Sequence, residues 1–518
     1  MKPSAILSVS NKTGIIELAK ALVNEFGYQI ISSGGTAKCL ADANIPVIKV
    51  SDFTSFPEIL GGRVKTLNPR VHGGILADRS NPDHMVDIKA NNIDLIDLVV
   101  VNLYPFKEVT SNSNCSFKEG IENIDIGGPT MIRAAAKNNK FVSILTNPNQ
   151  YEFYLQLRRN QKETFETRLE LAIKAFEHTA DYDSAITRWM ATQNNSQEST
   201  WNKSLTLIQN LRYGENPHQE ANWYGLNDYG WATSNQISGK ELSTNNLLDL
   251  DAALLTLLEF EDKEYKDEND LCFSAVIVKH NNPCGVAQGN SSKEAFERAL
   301  DCDKISAFGG IVALNNKVDK ETAYSLKENF LECIVAPGFE KEALEILREK
   351  KNLRLLQINF ENFLKNKNEN IKSILGGIIV QDLDYKFSSR KTWEVVTEEK
   401  PDENTINDLW FAWKVAKHVK SNSIVLANQL KTIGIGAGQM NRVGAAKIAL
   451  ESNNSIPSGT VLASDGFFPF KDTIEMAYKY GVKSIIQPGG SLRDKESIDF
   501  CNEFKISMVI TGQRHFLH

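Results

Sequence analysis

The sequence predicts an α/β protein of more than one domain, and three observations carry the expectation. At 518 residues the chain exceeds what one hydrophobic core supports. Its opening stretch runs strand, polar turn, helix, strand, glycine-rich turn, helix, the order that builds a parallel sheet. Further on, the polar run Asn194-Asn195-Ser196-Gln197-Glu198-Ser199-Thr200 reads as a linker. It divides the chain into residues 1–197 and 198–518.

Composition narrows the function classes. With 42% hydrophobic and 24% charged residues, the balance is that of an ordinary globular protein. A formal net charge of −7 argues against a protein that coats nucleic acid, so an anionic ligand must meet local cations. No apolar run is long enough for a membrane span, and the N-terminus lacks a signal peptide's basic-then-apolar layout. The seven cysteines are scattered without a CxxC pair, and the eight histidines have no metal-ligand spacing. The expected compartment is a reducing cytoplasm.

Taken in order, residues 4–9 form an apolar strand that ends in Ser10-Asn11-Lys12-Thr13-Gly14. A helix follows with Ile15, Ile16, Ala19, Leu22, Val23 and Phe26 on one stripe, stopped by Gly27. A second strand, 28–32, leads through Ser33-Gly34-Gly35-Thr36 into another helix. Either turn alone is more often plain punctuation than a phosphate cradle. As a pair at strand ends they favour an anion site built from backbone N–H groups. Arg63 and Lys65 then fall in a loop too rich in glycine and proline to be a helix face, Gly61-Gly62-Arg63-Val64-Lys65-Thr66-Leu67-Asn68-Pro69. A buried strand over 96–101 emerges at Asn102-Leu103-Tyr104, and Asp125-Ile126-Gly127-Gly128-Pro129 opens a helix with Pro129 at its first position. Arg133 and Lys137 share a face of that helix. A long helix over 168–193 carries Leu169, Ala172, Ile173 and Phe176 as its stripe.

Beyond the linker, a leucine-rich helix over 245–260 precedes an acidic insert, 261–270. The apolar run Ala275-Val276-Ile277-Val278 reads as a buried strand that delivers Lys279 and His280 together at its end. Successive side chains of a regular strand point to opposite faces, so a shared pocket requires irregular backbone there. Pro283 and Gly285 are expected to end the ladder. Later, Gly434-Ile435-Gly436-Ala437-Gly438-Gln439 lacks the third glycine of a dinucleotide fingerprint and is rejected as one.

Three segments carry a family resemblance: Val278-Lys279-His280-Asn281-Asn282-Pro283-Cys284-Gly285, Leu211-Arg212-Tyr213-Gly214-Glu215-Asn216-Pro217-His218-Gln219, and Ser306-Ala307-Phe308-Gly309-Gly310. Together they resemble the transformylase half of the bifunctional purine biosynthesis proteins, which carry AICAR transformylase and IMP cyclohydrolase. The N-terminal segments are similar to the cyclohydrolase half, and the likeness runs the length of the chain. It implies a methylglyoxal-synthase-like parallel-sheet domain over 1–197. Over 198–518 it implies two tandem cytidine-deaminase-like α/β/α units, with the transformylase site at a homodimer interface.

The resemblance also assigns residues. Ser10, Asn11, Lys12, Ser33, Gly34, Gly35, Thr36, Arg63, Val64, Thr66, Asn102, Leu103 and Ile126 would hold the nucleotide in the first domain. Lys65, Tyr104, Asp125 and Lys137 would surround the ring-closing atoms. In the second domain Arg212, Tyr213, Gly309, Glu332 and Arg514 would bind AICAR, with glutamate at 332 where the family more usually has aspartate. Lys279, His280 and Asn422 would act on the reacting groups, and Val443, Phe467, Asp472 and Ser491 would line the pocket for 10-formyltetrahydrofolate. AICAR, formyl-AICAR, IMP and folate are the implied partners. No catalytic metal is implied, and a structural monovalent cation is left open.

The residue types suit the chemistry. Closing formyl-AICAR to IMP needs a lysine at a developing oxyanion and a proton-handling tyrosine or carboxylate. Transferring a formyl group to a conjugated amine calls for a base poised near neutral pH, such as histidine. Two other classes compete. A nucleotide-sensing regulatory protein would bind AICAR or IMP without turnover. A zinc deaminase would need H-x-E and PCxxC, and Pro283-Cys284 is followed by Gly-Val-Ala.

Overall fold

Short aliphatic runs bounded by polar turns become parallel strands in the first unit, Met1–Ser204. The computed structural model describes residues 2–112, 114–194, 200–226, 229–261, 273–364, 369–452 and 455–518. Strands β1 (Ser4–Val9), β2 (Gln29–Ser32), β3 (Val47–Lys49), β4 (Leu98–Asn102) and β5 (Ser143–Leu145) pair in the order β3-β2-β1-β4-β5, all parallel. Helices cover the sheet, so β4 is buried along its whole length and reads as an unbroken apolar run. Winding reverses between β1 and β4, which leaves a crevice beyond their C-terminal ends.

Two helix expectations are corrected in this unit. The helix containing Pro129 spans Gly127–Lys137, so the proline is its third residue, still within the turn whose N–H groups lack helical partners. The long helix spans Phe165–Gln193, and its buried face is Leu171, Ala172, Ala175, Thr179 and Tyr182. Of the expected stripe, Leu169, Ile173 and Phe176 are exposed. This helix carries apolar residues on two faces, and the one rich in small side chains packs closest to the sheet.

The second unit, Leu205–His518, is built on a longer sheet. A separate antiparallel ribbon, β6 (Thr206–Leu211) with β7 (Ala221–Gly225), carries Arg212 and Tyr213 just past its first strand. The strands that follow are β8 (Asn235–Ser238), β9 (Phe273–Lys279), β10 (Asn282–Gly289), β11 (Gly310–Leu314), β12 (Leu331–Ala336) and β13 (Arg354–Gln357). A small hairpin, β14 (Glu369–Ile374) with β15 (Gly377–Asp382), intervenes. Then come β16 (Glu394–Val395), β17 (Ile424–Asn428), β18 (Lys431–Gly436), β19 (Val461–Ser464), β20 (Ser484–Gln487) and β21 (Ser507–Ile510).

Their order, β16-β21-β20-β19-β17-β18 followed by β10-β9-β11-β12-β13-β8, is one arrangement used twice and joined back to back. Each half has a central helix before its hairpin, Thr244–Leu258 in the first and Glu403–Ala416 in the second. On one face of the sheet both helices share a core that contains Val276 and Val278. The alternate residues Ala275 and Ile277 face a second core on the other side. The architecture is α/β throughout, with a mixed sheet in the second unit.

The expectation that Pro283 and Gly285 end the ladder is also corrected. β10 runs through both, pairing Asn282 with Lys279 and Pro283 with Val278, and shifts register between Pro283 and Gly285. A bulge at that point absorbs the missing proline donor. The linker residues 195–199 and the acidic residues 262–270 lie outside the described residues.

Candidate functional site

The crevice at the first unit's switch point is a cleft of about 620 Å³. Asn102, the last residue of β4, ties its floor together. Its Oδ1 accepts from the Ser10 and Asn11 amides at 2.7 and 2.8 Å, and its Nδ2 donates to the Asn11 carbonyl at 3.0 Å. Thr36 Oγ1 bonds the Val9 amide and carbonyl, both at 3.0 Å, and so docks the second turn on the first. A Cβ built on Gly34 would lie 3.3 Å from Lys65 Nζ, and one on Gly35 would lie 3.8 Å from Lys12 Nζ. Two ammonium groups therefore converge on the start of the helix Gly34–Asp42, an arrangement suited to a phosphate.

Opposite this cradle stand Tyr104 and Asp125. Asp125 Oδ1 accepts from the Gly128 amide at 2.8 Å, and the Tyr182 hydroxyl accepts from the Asp125 amide at 2.8 Å. Burial raises the Asp125 carboxyl above its ordinary value, while the Gly128 and Tyr104 amides and Lys65 act against the rise. Burial, with Asp125 adding to it, also raises the half-exposed Tyr104 phenol, so it keeps its proton at neutral pH. The helix start fits closely here: a Cβ on Gly128 would lie 2.5 Å from Asp125 Oδ2 and 2.6 Å from Leu103 Cδ2.

Of the residues expected at this site, Ser10, Lys12, Ser33, Gly34, Gly35, Thr36, Arg63, Lys65, Thr66, Asn102, Tyr104, Asp125 and Ile126 line the cleft. Asn11 contributes through its backbone bond to Asn102, Leu103 is buried behind Gly128, and Val64 does not line the cleft. Lys137 is exposed at the far end of the helix Gly127–Lys137, about 15 Å along the axis from Gly127 at 1.5 Å per residue. Sequence reading missed Glu122, which lines the cleft and pairs with Arg63, and Tyr182, whose burial pushes its phenol up to about 12.

In the second unit the expected residues collect along one edge of the sheet. Lys279 ends β9, Gly309 precedes β11, and Glu332 is the second residue of β12. Asn422 precedes β17, Phe467 follows β19, Ser491 follows β20 and Arg514 follows β21. The registers Asn282↔Lys279, Ile311↔Val278, Ile424↔Gly436 and Ile424↔Ser464 place these ends on the same side. Val443 and Asp472 begin the helices that leave this edge.

The β9–β10 connection is a two-residue tip, His280 and Asn281, at φ 53° and 62°. It supplies the irregular backbone that brings Lys279 and His280 to one cavity of about 210 Å³, shared with Asn282, Cys284, Asp303 and Ser306. Lys279 Nζ donates to the carbonyls of Phe308 and Gly309 at 3.0 and 2.9 Å. Gly309 adopts φ +70°, and a Cβ there would lie 2.8 Å from that ammonium. Cys284 stays a thiol at neutral pH, since burial pushes it up to about 12.

Around Asn422 a polar network was not foreseen. Arg442 donates to Asn422 Oδ1 at 2.7 Å, Ser464 Oγ at 2.8 Å and Asp465 Oδ1 at 2.6 Å. Burial lowers the Arg442 guanidinium, and Asp465 beside it works in the opposite direction. Asn246 donates to Glu332 at 2.8 Å, and Thr244 Oγ1 donates to the Tyr213 carbonyl at 2.9 Å, which ties the ribbon and β12 to the central helix. Among the described residues no group of three or more His, Cys, Asp and Glu side chains is placed to hold a metal ion.

These features define an α/β enzyme of nucleotide chemistry with two sites. A family model described as an MGS-like domain matches residues 14–130, and one described as AICARFT/IMPCHase bienzyme matches residues 135–452. The bifunctional purine biosynthesis protein PurH of Prochlorococcus marinus strain MIT 9215 is 56% identical over 518 residues, covering 100% of both chains. That of strain MIT 9312 is 57% identical over the same span and coverage. A solved structure titled "Crystal structure of ForH" is 35% identical over 37% of this chain and 100% of its own, at a TM-score of 0.33.

The chain belongs to the family of bifunctional purine biosynthesis proteins. It is a phosphoribosylaminoimidazolecarboxamide formyltransferase and an IMP cyclohydrolase, catalysing the last two steps of IMP biosynthesis. The reading as a sensor without turnover finds no support in these likenesses. No helix among the described residues is long and apolar enough to cross a membrane.

Proposed function

We propose that the two reactions are divided between the two sites, with residues 1–197 closing the ring and residues 198–518 transferring the formyl group. The division of internal contacts at Ser204 and Leu205 supports a boundary near the polar run. In the first unit Lys12 and the N–H groups at the start of the helix Gly34–Asp42 receive the 5′-phosphate. The tether within formyl-AICAR brings its carboxamide nitrogen to the formyl carbon. Lys65 faces the oxygen that gains charge, and Asp125 and Tyr104 manage the proton lost from nitrogen and the water expelled. The raised Asp125 carboxyl favours proton acceptance over that of an ordinary, fully solvated carboxylate. Lys137, exposed at the far end of the helix Gly127–Lys137, takes no part in the ring closure.

In the second unit His280 takes the proton of the AICAR amine as that nitrogen bonds the formyl carbon, Lys279 steadies charge on the formyl oxygen, and the proton passes to N10 as the formyl–N10 bond breaks and tetrahydrofolate leaves. Arg212, Tyr213, Gly309, Glu332 and Arg514 hold AICAR, and Asn422 orients the reacting region. Val443, Phe467, Asp472 and Ser491 receive 10-formyltetrahydrofolate, which supplies the formyl group. The exposed ring of Phe467 suits a flat heterocycle. We assign no residues to a structural monovalent cation.

The observation that carries the transformylase reading is the tight tip that sets Lys279 and His280 side by side at the sheet edge where Gly309, Glu332, Asn422 and Arg514 also lie. Ile305, Met440 and Leu492 are at least 89% exposed along the same sheet edge, which supports a homodimer whose interface covers the site. The six cysteines among the described residues are free thiols, which supports a cytoplasmic location. His280→Ala tests the reading: transformylase turnover should fall by roughly 10²–10⁴-fold while cyclisation is unchanged. His280→Asn and His280→Gln should fail alike, because neither amide accepts a proton near neutral pH. Near-normal turnover in either variant would remove His280 as the base.

A further inference from the structure

Both halves of the twelve-stranded sheet end their hairpins in the same way. Each central helix contributes an aspartate as its sixth residue, Asp249 in Thr244–Leu258 and Asp408 in Glu403–Ala416. Asp249 Oδ1 accepts from the Asn281 amide at 2.6 Å, and its Oδ2 accepts from the His280 amide at 3.3 Å. Asp408 repeats the pattern at the other tip, with Oδ1 on the Leu430 amide at 2.7 Å and Oδ2 on the Gln429 amide at 2.8 Å. All four tip residues are left-handed, at φ 53° and 62° in the first half and 54° and 57° in the second. Such turns normally place glycine at the second position, because side chains disfavour this region. A carboxylate that accepts both amides holds the tip where glycine is absent.

The halves are joined back to back, so the tips point to opposite edges. The first lies at the edge that gathers Gly309, Asn422 and Arg514. The second lies at the far edge, since Ile424 of β17 pairs with Ser464 at the site edge and the strand runs away from it. The far tip carries Gln429 and Leu430, neither of them ionisable. One anchor is thus used twice, and only one of its tips delivers a lysine and a histidine.

We propose that Asp249 is a positioning residue for formyl transfer: by fixing the His280–Asn281 tip it sets the direction of the imidazole toward the AICAR amine. This rests on the reading of His280 as the base. Further contacts agree with it. The Asn281 side-chain amide, with its nitrogen toward the helix, donates to Asp249 Oδ1 at 3.1 Å and to the Leu248 carbonyl at 3.2 Å. Lys279 has its own anchor in the Phe308 and Gly309 carbonyls, so loss of Asp249 frees the histidine first.

Asp408 provides the internal control. Asp249→Asn, Asp249→Ala, Asp408→Asn and Asp408→Ala are made in the full chain. Transformylase kcat, KM for AICAR, cyclohydrolase kcat and Tm are measured for each. Misplacing a catalytic group by about 1 Å costs on the order of 10²-fold, so Asp249→Ala should lose roughly 100-fold in transformylase kcat with little change in KM. Asp249→Asn keeps one acceptor oxygen and should lose roughly tenfold. It also carries the test if the alanine variant fails to fold. The Asp408 variants should show comparable losses in Tm with parental kcat for both reactions. Parental kcat in Asp249→Asn and Asp249→Ala would overturn the proposal, as would equal kcat losses at the two aspartates. His280→Ala in the same series separates the layers. If it turns over normally, the reading of the base fails and the proposal with it. If it is inactive while Asp249→Ala is normal, the proposal alone fails.

Discussion

Replacing Gly128 by alanine puts a methyl group where the Asp125 carboxylate and the Leu103 side chain already sit. The added Cβ would lie 2.5 Å from Asp125 Oδ2 and 2.6 Å from Leu103 Cδ2. Non-bonded carbons settle at about 3.5–4.0 Å, so the carboxylate or the helix start must move by roughly 1 Å. That movement strains the 2.8 Å bond from the Gly128 amide that orients Asp125. A displacement of that size costs on the order of 10²-fold in rate, or about 2.7 kcal/mol of barrier. Stability should change less, because an overpacking cost of about 1–3 kcal/mol is offset in part by alanine's better helix propensity, about 1 kcal/mol. The assay is IMP formation from saturating formyl-AICAR, with transformylase turnover as the internal control and Tm as the check on folding. A cyclisation kcat within about threefold of the parent would refute the role given to Asp125, since a displaced base cannot hold its rate.

Other consequences follow from the same geometry. Gly309→Ala forces an L residue to φ +70° and places a methyl 2.8 Å from Lys279 Nζ, so formyl transfer should fall by at least about tenfold while cyclisation is kept. A normal transformylase rate would mean that Lys279 is not needed where it lies. Lys65→Ala should abolish cyclisation and let formyl-AICAR accumulate, and loss of both activities in a folded protein would contradict independent sites. Asp125→Asn should raise Tm while ending cyclisation. Burial lifts the folded carboxyl above its ordinary 3.8, so the folded state binds more protons across that window and stability falls as pH rises through it. The gain in Tm from Asp125→Asn should therefore be larger at pH 7 than near pH 3, and the reverse order would show that burial is not the dominant influence on Asp125.

Much of this was legible in the sequence where a local rule coincides with the tertiary outcome. The strand at 4–9 and the two turns after β1 and β2 follow directly from apolar runs and turn residues, and they locate the cleft. Elsewhere local and tertiary rules disagree. Pro283 reads as the end of a strand, yet β10 continues through it because a bulge removes the need for its missing N–H. The stripe Leu169, Ala172, Ile173 and Phe176 satisfies helical periodicity, but of these only Ala172 is buried, because the helix turns the face of Leu171, Ala172 and Ala175 inward. Asp249 gave one available signal, a charge within a leucine-rich helix, but its partners lie more than thirty residues away. The Arg442 network joins segments that only the folded sheet brings together.

The central claim is that two independent residue sets perform the two steps, and mixing two variants tests it most directly. Lys65→Ala should form formyl-AICAR from AICAR and 10-formyltetrahydrofolate but no IMP. His280→Ala should close added formyl-AICAR but make little from AICAR. Combined in one reaction, the two proteins should produce IMP from AICAR at a rate set by the released intermediate. Absence of IMP from the mixture, with each variant folded and active in its remaining step, would contradict the division.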